Sequence, residues 1–313
     1  MGPTACGKTR VAVELVQRYP CEIISVDSAM VYRGLDIGSG KPDAATLAKA
    51  PHRLIDIRDP AEPYSAADFR ADAIREINDV LAKGKIPLLV GGSMLYFKVL
   101  RDGLAQMPAA VPEIRQRILD LAEAEGWQAV HARLQEVDPE AALRIHPNDP
   151  QRLQRALEVY QISGKSLTTL HLQETDNTMP DLPCTLKFIA MLPTSRADLH
   201  EVIAKRFHAM LEQGLVEEVA GLRARGDLNS NLPALRSVGY RQVWEFLDGD
   251  TNLTVLADKA IAATRQLAKR QLTWLRSWPN LDALPCTLGV EDVNIMDNHL
   301  KSLMLSPFTG SCK

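Results

Sequence analysis

Eight residues constrain this chain more than any others: Gly2-Pro3-Thr4-Ala5-Cys6-Gly7-Lys8-Thr9 follow the pattern G-x-x-x-x-G-K-[ST]. In such a loop the backbone N–H groups and the start of the following helix cradle a di- or triphosphate. Lys8 adds a point charge and Thr9 offers a hydroxyl to magnesium. The alternative is a Gly-rich turn that only caps a helix. By itself the motif specifies a polyphosphate, most often ATP, and does not exclude another diphosphate. A loop of this kind normally follows a buried strand, and only Met1 precedes it. The expectation is a start about eight to ten residues late, one parallel strand plus a short lead.

The residues that follow alternate between helix and strand periods. Residues 10–19 read as a helix ended by Pro20, and 21–26 as a short strand. Residues 52–57 read as a second strand. Residues 65–83 read as a helix with Ser65 as N-cap and Asp68 at its third position. Residues 86–90 form a buried strand closed by Gly91 and Gly92. This order predicts an α/β fold, a P-loop NTPase-like parallel sheet covered by helices. From 112 to 163 the pattern turns to amphipathic helices at 112–126, 127–137, 140–145 and 149–162, with Pro150 in the first turn of the last. An all-helical insertion domain is therefore expected at 112–178, between core segments 1–111 and 179–305. A strand is expected at 185–192, then helices at 196–213, 215–225, 237–247, 253–259 and 260–277. A disordered tail is expected at 306–313.

Bulk properties exclude several classes. Net charge is −3, so a nucleic-acid partner must meet a local basic patch. The five cysteines show no C-x-x-C or zinc spacing and suit free thiols in the cytoplasm. No apolar run approaches ~18 residues, and the N-terminus lacks the regions of a signal peptide. Neither a membrane span nor export is expected.

Asp27 is the acidic candidate for chemistry, because the strand ending at Val90 leads into Gly91-Gly92-Ser93 without a carboxylate. A carboxylate after the neighbouring strand suits a small-molecule kinase or another group transferase, and a loop or cap role for Asp27 stays open. Arg265, Lys269, Arg270 and Arg276 lie within a few helical turns with no acid between them. Arg152, Arg155, Arg236 and Arg241 form further pairs. These suit nucleic-acid phosphates, with Tyr240, Trp274 or Gln151 touching bases; the alternative is solvated helix surface. His146, before Pro147-Asn148-Asp149-Pro150, reads as a structural loop residue.

The run Ser25-Val26-Asp27-Ser28-Ala29-Met30-Val31-Tyr32-Arg33-Gly34-Leu35-Asp36-Ile37-Gly38 resembles the signature that follows the P-loop in tRNA dimethylallyltransferases. Leu89-Val90-Gly91-Gly92-Ser93-Met94-Leu95-Tyr96 and Thr264-Arg265-Gln266-Leu267-Ala268-Lys269-Arg270-Gln271-Leu272-Thr273-Trp274-Leu275-Arg276 continue it, as do 51–60, 64–69, 146–153 and 237–242. The likeness is collinear from residue 2 to about 277. It implies transfer of a dimethylallyl group from dimethylallyl diphosphate to the exocyclic amine of the adenosine 3′ of the anticodon, with pyrophosphate leaving. It also implies magnesium as cofactor and the tRNA anticodon stem-loop as partner of the insertion. Asp27 matches the family's general base or orienting carboxylate, and Arg206 its diphosphate-binding arginine. Ser93 stands where the family usually has Thr. The matching tRNA segments are Asp27, Ser28, Ala29 and Met30; Gln151, Arg152, Leu153, Gln154 and Arg155; Arg236, Ser237, Val238, Gly239, Tyr240 and Arg241; and Lys269 through Arg276. Ser93 and Arg115 are further candidates. A monomer is expected, since tRNA would occupy much of the surface. The competing readings are a P-loop kinase of a small hydroxyl substrate and a non-catalytic tRNA-binding protein.

Overall fold

The computed structural model describes residues 1–104, 107–175, 182–250 and 252–305. The chain divides into two compact units, Met1–Arg101 with Leu182–Lys313, and Asp102–Asp181. In chain order the first part holds α1 (Lys8–Arg18), β1 (Cys21–Val26), α2 (Ala44–Lys49), β2 (His52–Arg53), α3 (Ala66–Ala82), β3 (Ile86–Gly91) and α4 (Met94–Asp102). The helical stretch holds α5 (Pro112–Glu125), α6 (Trp127–Val137), α7 (Pro139–Arg144), α8 (Pro150–Ser163) and α9 (Leu167–Thr175). Then follow β4 (Phe188–Pro193), α10 (Arg196–Glu212), α11 (Leu215–Ala224), α12 (Tyr240–Leu247), α13 (Leu253–Arg276), β5 (Leu281–Cys286) and α14 (Asp292–Leu305).

Both sheets are parallel, as the α/β alternation requires: β2-β1-β3 and β4-β5. Ile24 and Val26 of β1 are buried in one cluster with Phe69, Ala73, Ile77 and Val80, spaced three or four apart on one face of α3, while Ile23 on the other face of the strand packs with Ala12 of α1 and Ala50. A reciprocal cap fixes the start of α3, since Ser65 Oγ accepts from Asp68 N at 3.1 Å and Ser65 N donates to Asp68 Oδ2 at 2.8 Å. Phe69 stacks on Tyr96 of α4 with ring centroids 4.2 Å apart.

Several expectations are corrected. The strand expected at 52–57 stops at Arg53, because Leu54 (φ 62°) and Asp56 (φ 57°) leave the extended region. β3 is only half-buried at Pro87–Val90, because it pairs with β1 along one edge and with no strand on the other among the described residues. The two helices expected at 253–277 are one, α13. No Gly or Pro interrupts it, and Leu256, Ala260, Ala268, Gln271 and Leu275 bury one side. Short α2, α4, α9, β5 and α14 had no place in the sequence reading. Met1 behaves as a strand residue: its N donates to Ile189 O at 2.7 Å and its O accepts from Met191 N at 3.0 Å. β4 thus supports the loop that begins at Gly2.

The helical unit, Asp102–Asp181, is wider than the expected 112–178. Ile118, Val130, Leu134 and Leu153 fill its core. It also buries two carboxylates. Asp138 caps α7 and accepts from Thr168 N at 2.9 Å and Thr168 Oγ1 at 2.7 Å. Glu158 takes Arg115 Nε and Arg155 Nη1, each at 2.8 Å. Burial alone would raise the Glu158 carboxyl, but the two guanidinium groups outweigh it and its pKa is lowered. The tail expected at 306–313 lies outside the described residues, as does part of the polar stretch after α9. Among the described residues no helix is long and apolar enough to cross a membrane.

A surface network sets the acid response. Arg53 Nε donates to Glu22 Oε2 at 3.0 Å, and Arg53 Nη1 lies 2.6 Å from both Glu76 and Asp79. Lys85 and Arg53 lower the Glu22 pKa, and Lys83 and Arg53 lower that of Asp79. Depressed carboxylates stabilise the fold above their unfolded values and lose that contribution as pH falls through the folded ones. The urea midpoint should therefore drop as pH falls below about 5, and Arg53→Gln should flatten part of the drop. In the core, Phe69→Ala should cost about 3–5 kcal/mol in urea unfolding.

Candidate active site

The P-loop turns on two left-handed residues, Ala5 (φ 63°) and Gly7 (φ 77°), the second of which starts α1. Successive amides in such turns converge on one point and favour an anion there. Side chains from distant parts of the chain hold the loop. Gln271 Oε1 accepts from Thr4 N at 2.8 Å, and Gln271 Nε2 donates to Gly92 O at 2.9 Å. Cys286 Sγ donates to Cys6 O at 3.3 Å, and burial pushes that thiol up to about 12. Lys8 Nζ folds back onto Pro3 O at 2.6 Å, with Cys6 Sγ 3.8 Å away. Gly2 and Pro3 are buried behind the loop.

In front of the loop lies a cavity of ≈ 1250 Å³, lined by residues of the first unit alone. Thr4 to Thr9 form part of its wall, and Asp27 and Ser93 lie on neighbouring turns after β1 and β3. Asp27 Oδ1 accepts from Ala29 N at 2.9 Å and Met30 N at 3.3 Å, which fixes the turn; Asp27 lines the cavity, and its Oδ2 has no hydrogen-bond partner among the described residues. Ser93 Oγ accepts from Ser28 N at 3.0 Å. Arg206 of α10 is half-buried in the wall and makes no hydrogen bond or ion pair among the described residues. Burial lowers its pKa, while Asp27 acts in the opposite sense. Apolar Met30, Ile37, Ile203, Phe207 and Met210 complete the lining. An anion cradle, an unpaired arginine and apolar walls together suit a ligand with a diphosphate head and a hydrocarbon tail.

Arg236, Ser237, Val238, Gly239, Arg270 and Trp274 also reach this cavity. Lys269, Thr273 and Arg276 are exposed on α13, and Arg241 is exposed on α12. Five expected contacts face inward instead. Tyr240, expected to touch a base, is fully buried, and its hydroxyl donates to Glu218 Oε1 at 2.6 Å. Leu153 and Leu275 are buried and Leu272 packs against the core, as apolar helix faces require. Gln271 is buried as the tie between the P-loop and Gly92. In the helical unit Gln151 and Arg152 are exposed and Gln154 is half-exposed, while Arg115 and Arg155 share Glu158. Sequence reading missed Glu218, Gly40 and Lys41. Lys41 Nζ reaches Tyr32 O at 3.1 Å and both Asp36 and Asp56. The only signal for Gly40 and Lys41 was their place just after the run 25–38, and Glu218 had none.

A model of the family described as IPP transferase matches residues 30–278. Among solved structures, the tRNA isopentenylpyrophosphate transferase of Bacillus halodurans is 34% identical over 97% of this chain and 94% of its own, with a TM-score of 0.69. The tRNA delta(2)-isopentenylpyrophosphate transferase of Staphylococcus epidermidis is 31% identical over 97% of both chains, with a TM-score of 0.66. A eukaryotic dimethylallyltransferase acting on tRNA has a TM-score of 0.76 over 99% of this chain and 80% of its own, at 24% identity, a likeness of fold alone.

Gln271→Leu removes both bonds and leaves the Thr4 amide and the Gly92 carbonyl without partners. It should lower unfolding stability by about 1–3 kcal/mol. It should also weaken binding of inorganic pyrophosphate, read by calorimetry.

Proposed function

The chain belongs to the IPP transferase family, and from that premise we propose that it is a tRNA dimethylallyltransferase. It transfers the dimethylallyl group of dimethylallyl diphosphate to the exocyclic amine of the adenosine 3′ of the anticodon. The carrying observation is the single cavity that joins the P-loop, the free Arg206 guanidinium, the Asp27 carboxylate and an apolar lining. A P-loop kinase would need no hydrocarbon-lined wall, and the family does not favour it.

In this reading the amides of Ala5, Cys6 and Gly7, with Lys8, hold the diphosphate. Arg206 takes up charge on the departing pyrophosphate as the allylic carbon–oxygen bond breaks. The adenine nitrogen forms the new carbon–nitrogen bond at that carbon and loses a proton, which Asp27 Oδ2 accepts. An exocyclic amine is a poor nucleophile, so alignment by Asp27 and Ser93 supplies much of the rate. Thr9 offers a hydroxyl for magnesium, and no three His, Cys, Asp or Glu side chains converge as a metal site among the described residues. That donor set fits an ion held mainly by substrate oxygens, and magnesium would neutralise diphosphate charge. The acceptor tRNA lies over Ser28, Ala29, Met30, Arg236, Ser237, Val238, Gly239, Arg241, Lys269, Arg270, Thr273, Trp274 and Arg276. The helical unit meets the anticodon stem-loop through Gln151, Arg152 and Gln154. The protein acts as a cytoplasmic monomer.

Label from dimethylallyl diphosphate should enter tRNAs that carry adenosine 3′ of the anticodon, with no ATP added; no label in any such tRNA removes this reading. Asp27→Ala should lower kcat by about 10²–10⁴-fold with tRNA affinity retained. Lys8→Ala should raise the donor requirement and leave bare tRNA binding nearly intact. Arg270→Ala should weaken tRNA binding and reduce the slope of log affinity against log salt by about one.

A further inference from the structure

Residues 36–40 pass along the cavity wall without regular structure, yet four consecutive amides in them are satisfied by two side chains from elsewhere. Glu218 Oε2 accepts from Asp36 N at 3.1 Å and Ile37 N at 2.7 Å, and its Oε1 accepts from Gly38 N at 3.2 Å. The Tyr240 hydroxyl donates to the same Oε1 at 2.6 Å and accepts from Ser39 N at 3.2 Å. This is the geometry of an anion nest, filled here by the protein's own carboxylate. The fit leaves no slack. A Cβ at Gly38 would stand 2.7 Å from the Tyr240 ring, and burial with the Glu218 charge raises the Tyr240 pKa, keeping the phenol a donor.

The braced segment ends against Arg206. Gly40 adopts φ 65°, and a Cβ there would stand 1.6 Å from Arg206 Nη2. The guanidinium thus occupies the space that a side chain at position 40 would take. Arg206 makes no hydrogen bond among the described residues, so the backbone of Gly40 is a surface that limits where its planar fork points.

We infer that Glu218, with Tyr240, is a positioning residue for the donor diphosphate: by clamping the amides of residues 36–39 it sets Gly40, and through Gly40 it aims Arg206 at the P-loop. The inference rests on the reading of Arg206 as the diphosphate-binding arginine. Glu218 touches no substrate and acts only through the guanidinium. Glu218→Gln is a sharp probe because it keeps shape but places an NH₂ against backbone N–H groups or the Tyr240 O–H, whichever way the amide sits.

The test is calorimetric titration of the full chain with inorganic pyrophosphate, for the parent, E218Q, Y240F, R206K and E218Q/R206K, with Tm recorded for each. E218Q should weaken pyrophosphate roughly tenfold, the scale of one charge-assisted hydrogen bond lost at Arg206, and Y240F less in the same direction. On the R206K background E218Q should add no more than about twofold, because the group it acts through is gone. Equal losses on both backgrounds would overturn the inference and leave Arg206's assignment standing, as would parent-like binding in E218Q and Y240F. If R206K itself binds pyrophosphate as the parent does, the assignment of Arg206 to the diphosphate falls, and the inference with it.

Discussion

The structure depends on keeping the backbone amides of the loop at residues 4–9 pointed at one place. Ala5 and Gly7 set the turn, and their left-handed conformations are the source of its shape. For Ala5 this conformation costs of order 1 kcal/mol, so the surrounding packing must hold it. Gln271 from α13, Cys286 from β5 and the pairing of Met1 with β4 each fix one part of the loop. Elements far apart in sequence therefore converge on residues 1–9, and the helices that carry Arg206 and Arg270 gain a fixed relation to the cradle.

Buried or half-buried carboxylates recur as anchors. Glu218 holds a run of amides, Glu158 joins two arginines, and Asp138 ties α7 to α9. Each is fully supplied with donors, which is the condition for a charge to sit away from water without a large penalty. Asp27 differs. Only one of its oxygens is used by the turn, and the other has no hydrogen-bond partner among the described residues. That contrast separates acids that hold the fold together from an acid with an oxygen left over.

Much of the fold was legible because it follows from local rules. The P-loop, the Ser65 cap, the proline-started helices and the helix-rich stretch in mid-chain all carry signals within a few residues. What was missed had no local signal. β5 contains Asp282 and Pro285 and takes its extended form from pairing with β4. The end of β2 is set by two non-glycine residues at positive φ, which apolar periodicity does not show. Tyr240 was read as a base contact because aromatic residues near arginines suit RNA. Its burial depends on Glu218, twenty-two positions earlier, and no pattern links the two.

The sequence by itself determined the class of protein and its family. The phosphate loop has a fixed spacing, and its chemistry lies in backbone amides that the spacing alone arranges. The collinear runs then separate a prenyl diphosphate from ATP. Only the tertiary structure decided which members of those runs face the cavity. Arg206, Asp27 and Arg270 do, and Gln271 lines it as a buried tie, whereas Tyr240 and Leu275 turn inward as supports. The reason is physical: a motif fixes residue type and order along the chain, while a side chain's direction is set by contacts between elements, here the burial of one face of α13 and the clamp of Glu218 and Tyr240 on residues 36–39.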